Sequence, residues 1–268
     1  MSLGLFPVKT TKYPPSEKLL LFFGSPRTGS TLLGQILNNH PNMLVANEYR
    51  FLQKVVRNQA CVEQQFYKLR KTALKQFKTG LKKDSYFSNK LSKFQSQWIE
   101  FDNSLLEKQD IKIVGDKKAG GNTLIYIEQP TKTKRFLANH EPYMLQIIRH
   151  PINAALSACK AFDLEYEDAI KDQIMRTTEA YRLMQEFQIH SHFVYYEDLI
   201  NDTENVLNGI MAFLKLFTDE YWMKSVLTSV NSSNKVTAPF SENQRSIARH
   251  YIDRYQANDI FKKYCDIM

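Results

Sequence analysis

Residues Gly24-Ser25-Pro26-Arg27-Thr28-Gly29-Ser30-Thr31 keep the frame of a phosphate-binding loop but not its lysine. Against the pattern G-x-x-x-x-G-K-[ST], both glycines and the final threonine are in place, Ser30 stands at the lysine position, and Arg27 lies inside the loop. A nucleoside triphosphatase uses that lysine on the β- and γ-phosphates and the hydroxyl on Mg²⁺. A loop that offers arginine instead points to an anionic group handled without that machinery. Asp198, in Tyr195-Tyr196-Glu197-Asp198-Leu199, is the acid a Mg²⁺-dependent kinase would need after a later strand, so ATP-dependent phosphoryl transfer stays open as the competing chemistry.

Strands and helices must carry these groups. Lys18-Leu-Leu-Leu-Phe-Phe-Gly24 is a short apolar run ending in glycine, as expected for a buried parallel strand that delivers the chain into the loop. Leu32, Leu33, Ile36 and Leu37 follow at helical spacing, and His40-Pro41 closes the helix. Strand, loop and helix in that order aim the loop amides and the positive end of a helix dipole at one spot, which makes an anion site. Further strands are expected at Met43-Leu-Val-Ala46, which leads into Asn47-Glu48-Tyr49-Arg50, and at 111–116, 143–148 and 192–196. Helical patterns fill 163–187 and 202–216, the latter behind Asn201-Asp202-Thr203 as a capping signal, and 231–244 reads as a polar loop. Alternating strands and helices imply an α/β fold: a P-loop NTPase-like three-layer sandwich with a central parallel sheet of about five strands. A helical insertion over about 50–108 follows the second strand, within a single domain spanning 1–268. Ligands of such sheets bind outside the carboxyl ends of the strands.

A hydrophobic fraction of 43% with 12% aromatic residues supplies a full core. The apolar run 19–23, which no other run exceeds, is far short of the ~20 residues needed to cross a membrane. The first eighteen residues hold prolines and lysines and no apolar signal core, so a cytoplasmic location is expected. Cys61, Cys159 and Cys265 are odd in number and far apart, which suits reduced thiols better than a disulfide framework and lacks metal spacing. Of the net charge of +8, +10 sits between residues 50 and 93, where twelve lysines and arginines face only Glu63 and Asp84, and the rest of the chain carries −2. Such a field attracts acidic partners, and a non-catalytic module binding acidic ligands is a third reading. A solvated, lysine-rich helical face accounts for the same charge.

The loop Pro26-Arg-Thr-Gly-Ser-Thr31, together with Ile148-Arg149-His150-Pro151-Ile152-Asn153 and Ser157, resembles the sulfotransferases over 19–216. The resemblance implies transfer of a sulfuryl group from 3′-phosphoadenosine 5′-phosphosulfate (PAPS) to a hydroxyl-bearing acceptor by in-line displacement, without a metal. A donor with a 5′-phosphosulfate and a separate 3′-phosphate needs two anion sites, and two strand ends here carry arginine or loop amides followed by helix starts. The resemblance assigns Pro26, Arg27, Thr28, Gly29, Ser30 and Thr31 to the phosphosulfate and Arg149 with Ser157 to the 3′-phosphate. A strand-end salt bridge is the ordinary alternative for Arg149.

Arg27 resembles the loop arginine of protein-tyrosine sulfotransferases and bacterial relatives, where a guanidinium forks onto the transferring group. Glu48 lies 21 positions after Arg27, which resembles the spacing to the catalytic base of those enzymes, and is the expected acceptor of the hydroxyl proton. His40, which fits a helix cap, is the rival base. Gly115-Asp116-Lys117-Lys118-Ala119 resembles the family element G-D-K-x-P, with alanine in place of the proline, so Lys117 is the expected third catalytic group and Lys118 its alternative. Lys235 or Arg245 is expected to close the adenine site. The acceptor stays open among acidic peptide, glycan, lipid and secondary metabolite; nucleic acid is not expected, and the oligomeric state is not legible.

Overall fold

The computed structural model describes residues 17–79, 108, 110–230 and 239–264. Five strands form one parallel sheet: β1 (Lys18–Phe23), β2 (Met43–Asn47), β3 (Ile113–Lys117), β4 (Tyr143–Ile148) and β5 (Ser191–Tyr195), ordered β2-β3-β1-β4-β5. Leu20 of β1 pairs with Gly115 on one side and Tyr143 on the other, so the first strand is central. The chain leaves β1 toward the β2 edge and later crosses to β4 and β5. The loop after β1 therefore starts at the point where the winding reverses, which is where open α/β sheets bind ligands.

The helices are α1 (Ser30–Asn39), α2 (Val62–Thr79), α3 (Ala119–Glu128), α4 (Pro130–His140), α5 (Pro151–Phe162), α6 (Tyr166–Glu186), α7 (Tyr196–Asn201), α8 (Thr203–Leu214), α9 (Glu220–Ser229), α10 (Glu242–Arg254) and α11 (Asn258–Phe261). Alternation along β1 feeds both faces of the sheet. Leu20 and Phe22 pack with Leu33 and Ile36 of α1, Leu207 and Ile210 of α8, and Trp222 of α9. Leu19, Leu21 and Phe23 pack with Phe66 and Leu69 of α2, Ile125 of α3, Phe136 of α4 and Leu183 of α6. Ile148 extends a third cluster that joins α5, α6, α10 and α11. Burying one such aliphatic or aromatic side chain stabilises by roughly 1.5–3 kcal/mol, so the central strand is the best-anchored element from which to launch a loop.

The expected three-layer architecture is present, with local corrections. β3 begins two residues later than the apolar pattern suggests and ends on Lys117, while Tyr196 opens α7 rather than closing β5. The start of the insertion is a single π-helical turn, Gln53–Arg57, before α2, which packs on β2 and β3 as one of the covering helices. The amphipathic pattern at 86–101 lies outside the described residues. Asp202 does not cap α8 with its side chain; that carboxylate instead accepts from Asn205 Nδ2 at 2.9 and 3.0 Å. Residues 242–244 belong to α10, whose start is a capping box between Ser241 and Gln244. Among the described residues no helix is long and apolar enough to cross a membrane.

Candidate functional site

The loop after β1 is held from behind. The Gly24 N–H donates to Thr123 Oγ1 at 2.8 Å, and Thr28 Oγ1 donates to the Ser25 carbonyl at 3.1 Å. Gln173, buried in α6, accepts from Ser25 Oγ through Oε1 and donates through Nε2 to the Pro26 carbonyl at 2.9 Å. Three residues take positive φ, namely Gly24 (117°), Arg27 (67°) and Gly29 (95°). For Arg27 that is a strained backbone imposed by its surroundings. Gly29 caps α1 with no side-chain hydrogen bond, and no acidic residue lies in the first turn, so the helix start keeps unsatisfied amides. A Cβ at Gly29 would lie 2.3 Å from Cδ2 of Tyr196, so no larger residue fits between loop and ring.

The second strand-end arginine meets the first. Arg149 Nη1 donates to the Arg27 carbonyl at 3.1 Å, and Arg27 Nε donates to Ser157 Oγ at 3.1 Å. Ser157 lies in α5, as its spacing from Arg149 anticipates. The Arg149 guanidinium lies 4.5 Å over the Tyr196 ring and leaves a buried Nε without a partner. Burial, and then the charge of Arg149, hold the Arg27 guanidinium below its usual pKa. Two half-buried cations pressed together beside two helix starts form a site that an anion would stabilise. The buried Arg149 Nε and the uncapped start of α1 fit a donor carrying two separated anionic groups.

Glu48 follows β2 at the same edge. Its Oε1 accepts from Lys117 Nζ at 2.7 Å, its Oε2 from Lys118 Nζ, and Lys117 Nζ also donates to Thr31 Oγ1 at 3.0 Å. Both lysines therefore touch Glu48, but only Lys117 spans from Glu48 to the loop. Burial pushes the Glu48 carboxyl up, yet the two ammonium charges and their hydrogen bonds outweigh it and leave its pKa lowered. The backbone that presents Glu48 is held at φ 63°, with Arg50 at 65°, because Asp116 accepts from the amides of Tyr49 (3.0 Å) and Phe51 (2.6 Å). From α2, Gln76 brackets Asn47, accepting from its amide at 2.7 Å and donating to its carbonyl at 3.2 Å.

The remaining sequence candidates fall elsewhere. His40 is fully buried, accepts from the Asn42 amide at Nδ1 (3.2 Å) and lies 3.1 Å from the Phe217 carbonyl through Nε2. That arrangement assigns the proton to Nε2 and makes His40 a closing element of α1. Glu197 accepts from the His150 amide at 3.1 Å and from Tyr264 Oη at 2.6 Å, so it braces the end of β4. Asp198 pairs with Lys263 at the surface. Arg245, in α10, reaches Glu242 at 3.9 Å. Lys235 and Cys265 lie outside the described residues. Among the described residues no three His, Cys, Asp or Glu side chains cluster as metal ligands.

Four residues that shape the site escape the sequence reading: Gly34, Asp116 as a backbone clamp, Gln173 and Tyr196. Gly34 carried a usable signal, a glycine inside a helical pattern, which marks close approach. A Cβ there would lie 2.9 Å from Lys117 Cγ, so the gap in α1 is the passage through which Lys117 reaches Thr31.

The fold recurs in known proteins. The mouse sulfotransferase SULT7A1 complexed with PAP superposes with a TM-score of 0.53 at 11% identity, covering 95% of this chain and 91% of that one. The sulfotransferase domain from the curacin biosynthetic pathway gives 0.49 at 15% identity, covering 92% and 99%, and the sulfotransferase from Alicyclobacillus acidocaldarius gives 0.49 at 12%, covering 89% and 94%. No curated protein sequence matches the chain. The model of the sulfotransferase family matches residues 20–220, three quarters of the length, across the loop, Glu48, Lys117, Arg149 and Ser157, and on that match the chain belongs to the sulfotransferase family.

Proposed function

We propose that the protein transfers a sulfuryl group from PAPS to a hydroxyl acceptor by in-line displacement. The observation that carries the reading is the junction of Arg149, Arg27 and Ser157, which brings two cationic strand ends together beside two helix starts. The start of α1, with Ser30 and Thr31, would hold the phosphosulfate, and Arg149 with Ser157 would seat the 3′-phosphate. The bound donor supplies an activated sulfuryl group and a phosphate leaving group. Arg27 and Lys117 then provide fixed positive charge where negative charge develops, which is worth far more in a dehydrated cleft than in water. Glu48, adjoining Lys117, takes the acceptor proton at a carboxylate oxygen. Lys117 couples these roles because it bridges Glu48 and the loop hydroxyl.

Thermal shift with adenosine 3′,5′-bisphosphate against ATP and Mg²⁺ tests the donor assignment. A ligand at one hundred times its dissociation constant stabilises by ~2.7 kcal/mol. Stabilisation by the bisphosphate is expected; a response to ATP and Mg²⁺ alone would overturn it.

A further inference from the structure

The basic segment after β2 lines a cavity that shares no residue with the proposed donor site. A space of about 610 Å³ opens at Tyr49, the residue after Glu48, and is walled by Lys54, Gln65, Lys68, Lys71 and Lys75. Lys68, Lys71 and Lys75 recur at three and four positions along α2, so they share one face of the helix. Like charges at that spacing destabilise a helix, and none of the nine residues lining the cavity is acidic.

The wall is built rather than incidental. Tyr49 Oη donates to Gln65 Oε1 at 2.8 Å, fixing the ring against α2. The Lys54 ammonium lies 3.3 Å from the centre of the same ring, delivered there by the π-helical turn Gln53–Arg57. Single π turns recur at functional sites because they re-aim side chains within a helical path. Burial pulls the Lys54 pKa down, and the charges of Lys68 and Arg50 add to that against Asp116. A cleft lined by one sign of charge concentrates ions of the other sign, and a volume of this size suits a small molecule.

We infer that this cavity is an anion site separate from the donor cleft, taking a compact polyanion that carries two or more phosphate, sulfate or carboxylate groups. Lysines give the attraction, while Gln65, whose Oε1 is occupied by the Tyr49 hydroxyl, keeps its Nε2 amide as a donor that orients the ligand. The site stands on its own residues and does not require the donor assignment.

Isothermal titration of the full chain with sodium tripolyphosphate tests it, with adenosine 3′,5′-bisphosphate present in excess to fill the donor cleft. One tripolyphosphate per chain is expected, weakening as NaCl is raised. The variant K68Q/K71Q/K75Q should bind at least tenfold more weakly. The control K132Q/K171Q/K224Q, which removes the same charge from exposed positions elsewhere, should stay within twofold of the native chain. Thermal melts of both variants establish that they fold. Absence of binding to the native chain, or equal weakening in the two variants, overturns the inference. If the bisphosphate itself does not bind, the transferase reading fails alone, and the same comparison of variants without it still decides the cavity.

Discussion

Replacing His40 by asparagine separates a structural histidine from a catalytic one through the pH dependence of stability. Burial holds the His40 imidazole down to about 4, against an ordinary value of 6.5. Between those two values the unfolded chain binds a proton at His40 that the folded chain refuses, so stability is complete above pH 6.5 and is lost as pH falls toward 4. At ~1.36 kcal/mol per pH unit the loss is about 3 kcal/mol. Asp116 opposes it: burial raises its carboxyl from 3.8 to about 6, so the folded chain holds a proton there that the unfolded chain lacks. Its contribution is complete below 3.8 and is lost as pH rises through 6, again by about 3 kcal/mol. The two contributions run in opposite directions over the same range, and the lowered Glu48 pKa adds its own rise with pH, so the raw profile does not isolate the histidine. The difference between native and His40→Asn proteins isolates the histidine, because the contacts of His40 and Asp116 share no partner. Urea unfolding from pH 4 to 7.5 should show the stability gap between the two proteins widening by about 3 kcal/mol with rising pH. A gap that stays constant refutes the buried, neutral imidazole. Turnover by the variant at pH 7.5 should stay within a few-fold; a hundredfold loss would restore His40 as base.

Glu48→Gln should lower turnover by roughly 10²–10⁴-fold while affinity for adenosine 3′,5′-bisphosphate, measured by calorimetry, is unchanged; retained turnover removes Glu48 as base. Gly29→Ala combines a positive φ with a Cβ pressed into Tyr196, so it should destabilise by roughly 1–3 kcal/mol in urea titration and weaken bisphosphate binding, and an unperturbed variant would contradict the described contact. Trp222→Phe removes the Nε1–H donor to the Ile36 carbonyl, a 2.9 Å bond at the end of α1, and should cost about 1–3 kcal/mol by denaturant unfolding, with the calorimetric affinity for the bisphosphate retained.

The legible part of the site is the part written in short strings. The loop from Gly24 to Thr31 announces itself because strand, glycines and helix are contiguous, and Arg149 and Ser157 share one strand–helix step. Glu48 and Lys117 each close a recognisable strand. What stayed hidden depends on partners far along the chain. Gln173 bonds a loop more than 140 residues earlier, and the Tyr196 ring fills the space that Gly29 leaves. Lys117 and Lys118 are indistinguishable as neighbours in sequence; only the gap at Gly34 and the reach to Thr31 tell them apart. The capping expectation at Asp202 failed because Asn205 captured the carboxylate, a competition between side chains that spacing alone does not resolve.

The brace at the end of β4 has a consequence for assembly. The His150 amide is held by Glu197, and Glu197 by the hydroxyl of Tyr264, so the floor beneath Arg149 is completed by a residue 115 positions downstream of that arginine. Closing so long a stretch is entropically unfavourable until its contacts form, which places them late in folding. On a ribosome the first anion site can take shape once α6 has emerged with Gln173, whereas the second waits for residue 264. The nascent chain thus passes through a stage with half a cleft, able to grip one anionic group and not two.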